Sequence, residues 1–293
     1  MVIGVDAARG EIEECRSGDL TSAPLSPTRG NVATVLGNLL AQFLFRLAWG
    51  LALAMTVTSS DQVTSGFFRV HLWVLLGLDT LAALSLLAIH GSTPQSICFG
   101  ACILGAVISY IGSVCWLYEQ PRAGKWCLAL VAVANVVAAI SWTVGDQAQT
   151  FSVSQFALVT TDILSGGALL GVAIASMLLG HWYLNTPTMQ LAPLRRLICG
   201  IGWAVVLRAA FAATSLGLAL ASGVTPSQGT LLLILLRWLA GLIAAGFVVW
   251  MAWQTLKIPN TQSATGLLYV VVILVFLGEM TSQLLSAVSL FPL

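Results

Sequence analysis

Continuous apolar stretches separated by short polar interruptions make up most of this chain. Eight of them follow a polar N-terminal segment, at residues 33–57, 67–90, 96–118, 124–144, 155–180, 194–222, 229–253 and 265–288. A hydrocarbon core of about 30 Å is crossed by about 20 helical residues, so each stretch is long enough to span it. The runs are unbroken rather than alternating, which excludes the period-two pattern of a membrane β-barrel. Turn chemistry punctuates them: Thr58-Ser59-Ser60-Asp61, Gly91-Ser92-Thr93-Pro94, Glu119-Gln120-Pro121-Arg122, Gly145-Asp146, Asn185-Thr186-Pro187, Thr225-Pro226-Ser227 and Pro259-Asn260-Thr261. The predicted fold class is all-α, a polytopic integral membrane bundle of about eight transmembrane helices.

Composition agrees with this pattern. Only 8% of residues are charged, against about 25% in soluble proteins. The net charge of +1 and the lack of a basic run argue against a nucleic-acid partner. Residues 1–30 differ from the rest, with five acids, three arginines, Pro24 and Pro27. They read as a polar, disordered tail ahead of a membrane domain at 31–293. The tail has no basic start or apolar core of a cleavable signal peptide, so the first span is expected to stay as an anchor.

Orientation follows from the loop cations. Connections after spans three, five and seven carry Arg122 and Lys125, Arg195 and Arg196, and Lys257, whereas those after spans two, four and six carry none. Basic loops face the cytoplasm, which places both termini outside. The expectation is a multi-pass protein of a bacterial inner membrane, with membrane lipid as its first partner. Trp116, Tyr118, Trp126, Trp182, Tyr183, Trp250 and Trp253 fall at span boundaries, as interfacial anchors do. Gly167 with Gly171, and Gly241 with Ala245, are small-residue steps that let helices approach closely. The string from His181 to Pro187, followed by Arg195-Arg196, is a candidate for lipid headgroups or a partner.

Six charges lie well inside the spans: Arg46, Arg208 and Arg237 against Asp79, Asp162 and Glu279. A charge at mid-bilayer costs about 3 kcal/mol on insertion scales, so each should face protein or a wet cavity. Depth along the helices brings Asp162, Arg208, Arg237, Glu279 and His90 toward one pocket opening outward. Arg46 and Asp79, deeper and on consecutive helices, are expected to form a buried ion pair. Asp162 with Gly166 and Gly167 also marks a place where span five could break, as transporter helices do.

Other chemistry is thinner. His71 and His181 lie near one depth on two helices, a spacing that admits a b-type haem between them. Cys98 and Cys102 share a helix face, although buried apolar cysteines are the commoner case. No HExxH, GxSxG or Walker-type GxxxxGK[ST] string is present, so hydrolase and ATPase chemistry has no support.

Span two reads Leu72-Trp73-Val74-Leu75-Leu76-Gly77 and ends His90-Gly91-Ser92-Thr93-Pro94, and span eight contains Phe276-Leu277-Gly278-Glu279-Met280. These strings resemble the integral-membrane anchor subunits of dimethyl sulfoxide and polysulfide reductase type, the NrfD/PsrC-like superfamily. The resemblance covers two of the eight helices. It implies a quinone or quinol site at His90 and, more loosely, Glu279, with an extrinsic iron–sulfur or other redox subunit receiving electrons. A histidine of ordinary pKa suits acceptance of a quinol proton. Three readings follow: a quinone-interacting anchor subunit of an oxidoreductase, a secondary or proton-coupled transporter, and a membrane scaffold held together by its ions.

Overall fold

Each of the eight apolar stretches forms a helix. The computed structural model describes residues 29–90, 96–145, 152–186, 189–223, 226–258 and 260–288; the segment 1–28 and the Gly91–Pro94 turn lie outside them. The helices are α1 (Arg29–Val57), α2 (Ser65–His90), α3 (Ser96–Leu117), α4 (Pro121–Val144), α5 (Val153–Asn185), α6 (Ala192–Ala221), α7 (Gln228–Thr255) and α8 (Thr261–Val288). All are long and apolar enough to cross a bilayer. The chain is a multi-pass, all-α membrane protein. It divides into two units, Met1–Leu36 and Gly37–Leu293; the second contains the bundle described below.

Local chemistry sets several of the helix ends. Ser152 and Gln155 form a reciprocal capping box at the start of α5. Ser227 accepts from Thr230 N–H to begin α7, and Asn260 accepts from Ser263 N–H to begin α8. These side chains satisfy N–H groups that a helix start leaves without partners. Pro121 opens α4, where its missing donor is harmless. Gly145 and Gly223 leave α4 and α6 with positive φ, at 42° and 80°, a conformation glycine adopts without penalty.

Span five does not break. It continues through Asp162, Gly166 and Gly167 as one 33-residue helix, reaching Asn185 and carrying His181, Trp182 and Tyr183 with it. The irregular helix is instead α7, whose turns from Arg237 to Ala244 are π-helical between two α-helical segments. Wide turns of this kind recur at functional sites.

Two groups of helices make the bundle. Helices α2, α3 and α4 pack in sequence, while α5, α6, α7 and α8 form a closed set in which α8 touches both α5 and α7. From Gly37 onward α1 joins them, and it is the most buried of the spans. One of its faces meets α2, α3 and α4 through Ala41, Leu44 and Phe45. Its other face crosses α5 backbone to backbone: a Cβ on Gly50 would strike the Gly167 carbonyl and lie 3.1 Å from Gly171 Cα. The small-residue step on α5 therefore receives α1. Gly241 on α7 and Gly278 on α8 make a second such crossing, with a Cβ on either falling 2.5 Å from the other's Cα.

The boundary aromatics separate into two kinds. Tyr118 and Trp126 are exposed as anchors should be, whereas Trp116 is buried and stacks on Phe68 at 4.1 Å. Gly124 leaves the room that Trp116 fills. Tyr183 is buried too, its hydroxyl donating to the Gln190 carbonyl.

Candidate functional site: a buried ionic cluster with unpaired donors

The Gly50–Gly167 crossing sets the register of the site. Helices α1 and α5 run parallel, with Arg46 four residues before Gly50 and Asp162 five before Gly167, so the two reach the same depth. Arg46 Nη2 lies 2.6 Å from Asp162 Oδ2. The expected Arg46–Asp79 pair does not form, because Asp79 faces α3 and α4 rather than α1. Asn135 Nδ2 donates to Asp79 Oδ1 at 2.9 Å, and Gly105 leaves the space that this carboxyl occupies. Adjacency in sequence brought Asp79 close to Arg46 on paper; the rotation of α2 about its axis turns it away.

Arg208, fully buried on α6, organises the centre. Its Nε and Nη2 donate to the two oxygens of Glu279, each at 2.7 Å, a bidentate arrangement. Its Nη1 reaches Asp162 Oδ1 at 2.6 Å, the Asp162 carbonyl at 3.2 Å and Ser165 Oγ at 2.9 Å. Ser282 Oγ accepts from Nη2 at 3.1 Å, and the Phe211 ring lies 5.8 Å from the guanidinium carbon. One continuous chain results, Arg46–Asp162–Arg208–Glu279, tying α1, α5, α6 and α8 together. Gly166 stands at its middle: a Cβ there would press on Glu279 Oε2, 3.0 Å from Arg208 Nη2 and 3.2 Å from Arg46 Nη1.

Arg237 breaks the symmetry of this chain. It is 3% exposed and lies within electrostatic reach of Arg208, Glu279, Asp162 and Arg46. Yet it forms no ion pair among the described residues, and its Nη2 has no hydrogen-bond partner. The cluster thus holds three cations and two acids. Arg46 Nε and Nη1 are also unpartnered, as are both ends of the Gln42 and Gln283 amides and the Ser215 hydroxyl. Buried polar groups ordinarily find partners, so this concentration is unusual.

Several of the unpartnered groups share one side of the cluster, whereas Trp49 Nε1, three residues beyond Arg46, lies on the other. Gln42 lies four residues, about 6 Å, from Arg46 along α1, and Gln283 the same distance from Glu279 along α8. Ser215 lies two turns beyond Arg208. Helix direction places all three, and Arg237, on the side of the cluster away from the connections bearing Arg122, Arg195 and Lys257. On the opposite side the helices meet through Leu51, Met55, Leu169, Leu170, Ala173, Val271 and Val275. Buried polar groups thus lie on one side of the ions, with Ala219 and Leu285 packed beyond Ser215 and Gln283, and an apolar layer lies on the other side.

Of the predicted site residues, Asp162, Arg208, Arg237 and Glu279 come together, and Arg46 joins them in place of pairing with Asp79. His90 ends α2; its side chain lies outside what is described. The two other histidines engage different helices. His71 Nδ1 bonds the Phe67 carbonyl at 2.6 Å beside Trp182, while His181 Nδ1 lies 3.3 Å from the Tyr269 hydroxyl. Gln42, Ser165, Gly166, Ser282 and Gln283 are additions that ions alone do not reveal. Their signal in the sequence is position, since each lies three or four residues from a buried ion and so on its helix face. A comparison with family models, curated proteins and solved structures finds no match to this chain.

Proposed function

We propose that this protein binds a small anion inside the membrane, as the substrate site of a secondary transporter. The observation that carries the reading is the buried imbalance: three arginines, two acids, and unpartnered donors on Arg46, Arg237, Gln42 and Gln283. An unpaired guanidinium in a protein interior is costly, and an anion that accepts from it removes that cost. Donor groups of this kind suit a carboxylate or phosphate oxygen. Intramembrane ions are a functional hypothesis by default, and the unpartnered Gln42, Ser215, Arg237 and Gln283 all lie to one side of this cluster. The wide turns of α7 begin at Arg237 itself, on the helix that would adjust as the site fills.

The quinone-anchor reading rests on His90 and Glu279. The geometry favours it less, because Arg208 holds both oxygens of Glu279 and leaves neither free to relay a proton. The donors around Gly166 nonetheless suit a carbonyl acceptor, so the test includes a quinone.

The test is the unfolding midpoint of the purified full chain in detergent. Sodium acetate and sodium phosphate are titrated at constant ionic strength against gluconate, a bulkier anion. Ligands that bind only the folded state raise the midpoint, and above their Kd the rise follows the logarithm of ligand concentration. Such a rise with acetate or phosphate, lost in Arg237→Gln, supports the proposal, and uptake of that anion into proteoliposomes establishes transport. A response to a short-chain quinone alone moves the function to the redox reading. No response to any of the three leaves the ions as structural links and overturns the proposal.

A further inference from the structure

A second feature lies at the opposite end of the molecule, on the lipid-facing side between α6 and α7. A groove of about 390 Å³ runs there, with Gly202, Trp203, Gly246, Trp250 and Trp253 among its lining residues. Its walls are almost wholly apolar. Gly202 and Gly246 hollow its floor: a Cβ on Gly202 would meet nothing within 4 Å, and one on Gly246 would only touch Val205. At its mouth is a smaller polar recess lined by Arg195, Trp253 and Lys257, so Trp253 belongs to both.

Interfacial anchoring accounts for Trp253 and Trp250, near the end of α7. It does not account for Trp203, which is 71% exposed and stands eleven residues into α6, about 16 Å from its start. A large ring at that depth facing lipid makes sense as the wall of a slot for a chain. The mouth is chemically distinct. Arg195 Nη2 donates to the Leu256 carbonyl at 2.9 Å, which pins its guanidinium across the gap between α6 and α7. The connections from Asn185 to Arg196 and from Thr255 to Gly266 contain no acid to neutralise Arg195 or Lys257.

We propose that this groove is a selective site for an anionic phospholipid, with an acyl chain between Trp203 and Trp250 and its phosphate against Arg195 and Lys257. A positioned guanidinium and an ammonium beside an apolar slot match the two parts of such a lipid. Any bilayer would wet the groove with acyl chains; the basic mouth is what selects a negative headgroup.

The test reconstitutes the full chain into vesicles containing either brominated phosphatidylglycerol or brominated phosphatidylcholine at the same mole fraction. Bromines on the acyl chains quench tryptophans they contact. The expected result is stronger quenching by the anionic lipid. That excess falls by at least half in Arg195→Gln/Lys257→Gln and in Gly202→Leu, whose Cβ meets nothing within 4 Å and whose branch projects into the slot. It survives Arg122→Gln/Lys125→Gln, which removes charge at the same end but away from the groove. Equal quenching by the two lipids overturns the proposal. So does an excess that persists in both groove variants, or one that the Arg122/Lys125 pair carries equally.

Discussion

In the half of the bundle built by α1 and α5–α8, four ions are linked end to end and a fifth stands beside them. In the half built by α2, α3 and α4, one carboxyl, Asp79, is met by one amide and no cation among the described residues. The mid-span charges balance three to three in the chain, but the fold divides them three to two and none to one. Charge balance at the level of sequence therefore does not translate into local pairing. The ionic half is stitched across four helices by the chain from Arg46 to Glu279. The Asp79 half is a local contact among neighbours in sequence order, with Asp79 Oδ2 unpartnered beside Gly105. Only the first concentrates enough donors to hold a ligand.

The largest effect should come from Arg208→Met, which leaves Glu279 without an ion-pair partner and Asp162 paired with Arg46 alone. Removing one partner of a buried pair costs about 3–5 kcal/mol. Asp79→Asn should cost about 1 kcal/mol or less, since an amide oxygen can still accept from Asn135. Unfolding of the two variants in detergent, compared with the parent, measures the contrast. Equal losses would erase the distinction between the halves.

Next in size is Gly50→Ala, expected to cost about 1–3 kcal/mol as an overpacked contact. Its Cβ meets backbone rather than a movable side chain, so α1 and α5 must separate and Arg46 must draw away from Asp162. Gly77→Ala is the control, because nothing lies within 4 Å of its Cβ; its stability should match the parent. If Gly50→Ala is as silent as Gly77→Ala, the close crossing does not set the register of the ionic half.

Sequence reading recovers the helices because length and unbroken apolarity suffice to define a span, whatever its neighbours. It also finds the ions, since a charge in mid-span stands out anywhere. Pairing is less legible, because it depends on which helices cross and how each is rotated. Arg46 and Asp79 are on consecutive spans at similar depth, yet a parallel crossing through Gly50 gives Arg46 to a helix four spans away. The Gly167–Gly171 step is readable as a close contact, whereas its partner Gly50 is one glycine among many. Trp116 and Trp126 look alike at a span boundary; only the space left by Gly124 separates core from anchor. Gln42 and Gln283 look like ordinary polar interruptions until their ions are placed.

Arg237→Gln should have the smallest effect on folding and is the sharpest test of what the ionic half is for. A structural ion loses stability when removed, because partners are stranded. Arg237 has no ion-pair partner among the described residues to strand; its burial is costly, and repulsion from Arg208 and Arg46 is set against attraction to Glu279 and Asp162. Glutamine keeps a donor at this position while removing the charge and the cost of burying it. The unfolding midpoint without added anion should therefore hold level or rise, while the response to acetate or phosphate disappears. A fall comparable to that of Arg208→Met would instead make Arg237 a hidden member of the stitching. The excess charge would then be part of what holds the helices together, and the difference between the two halves would be one of size rather than of purpose.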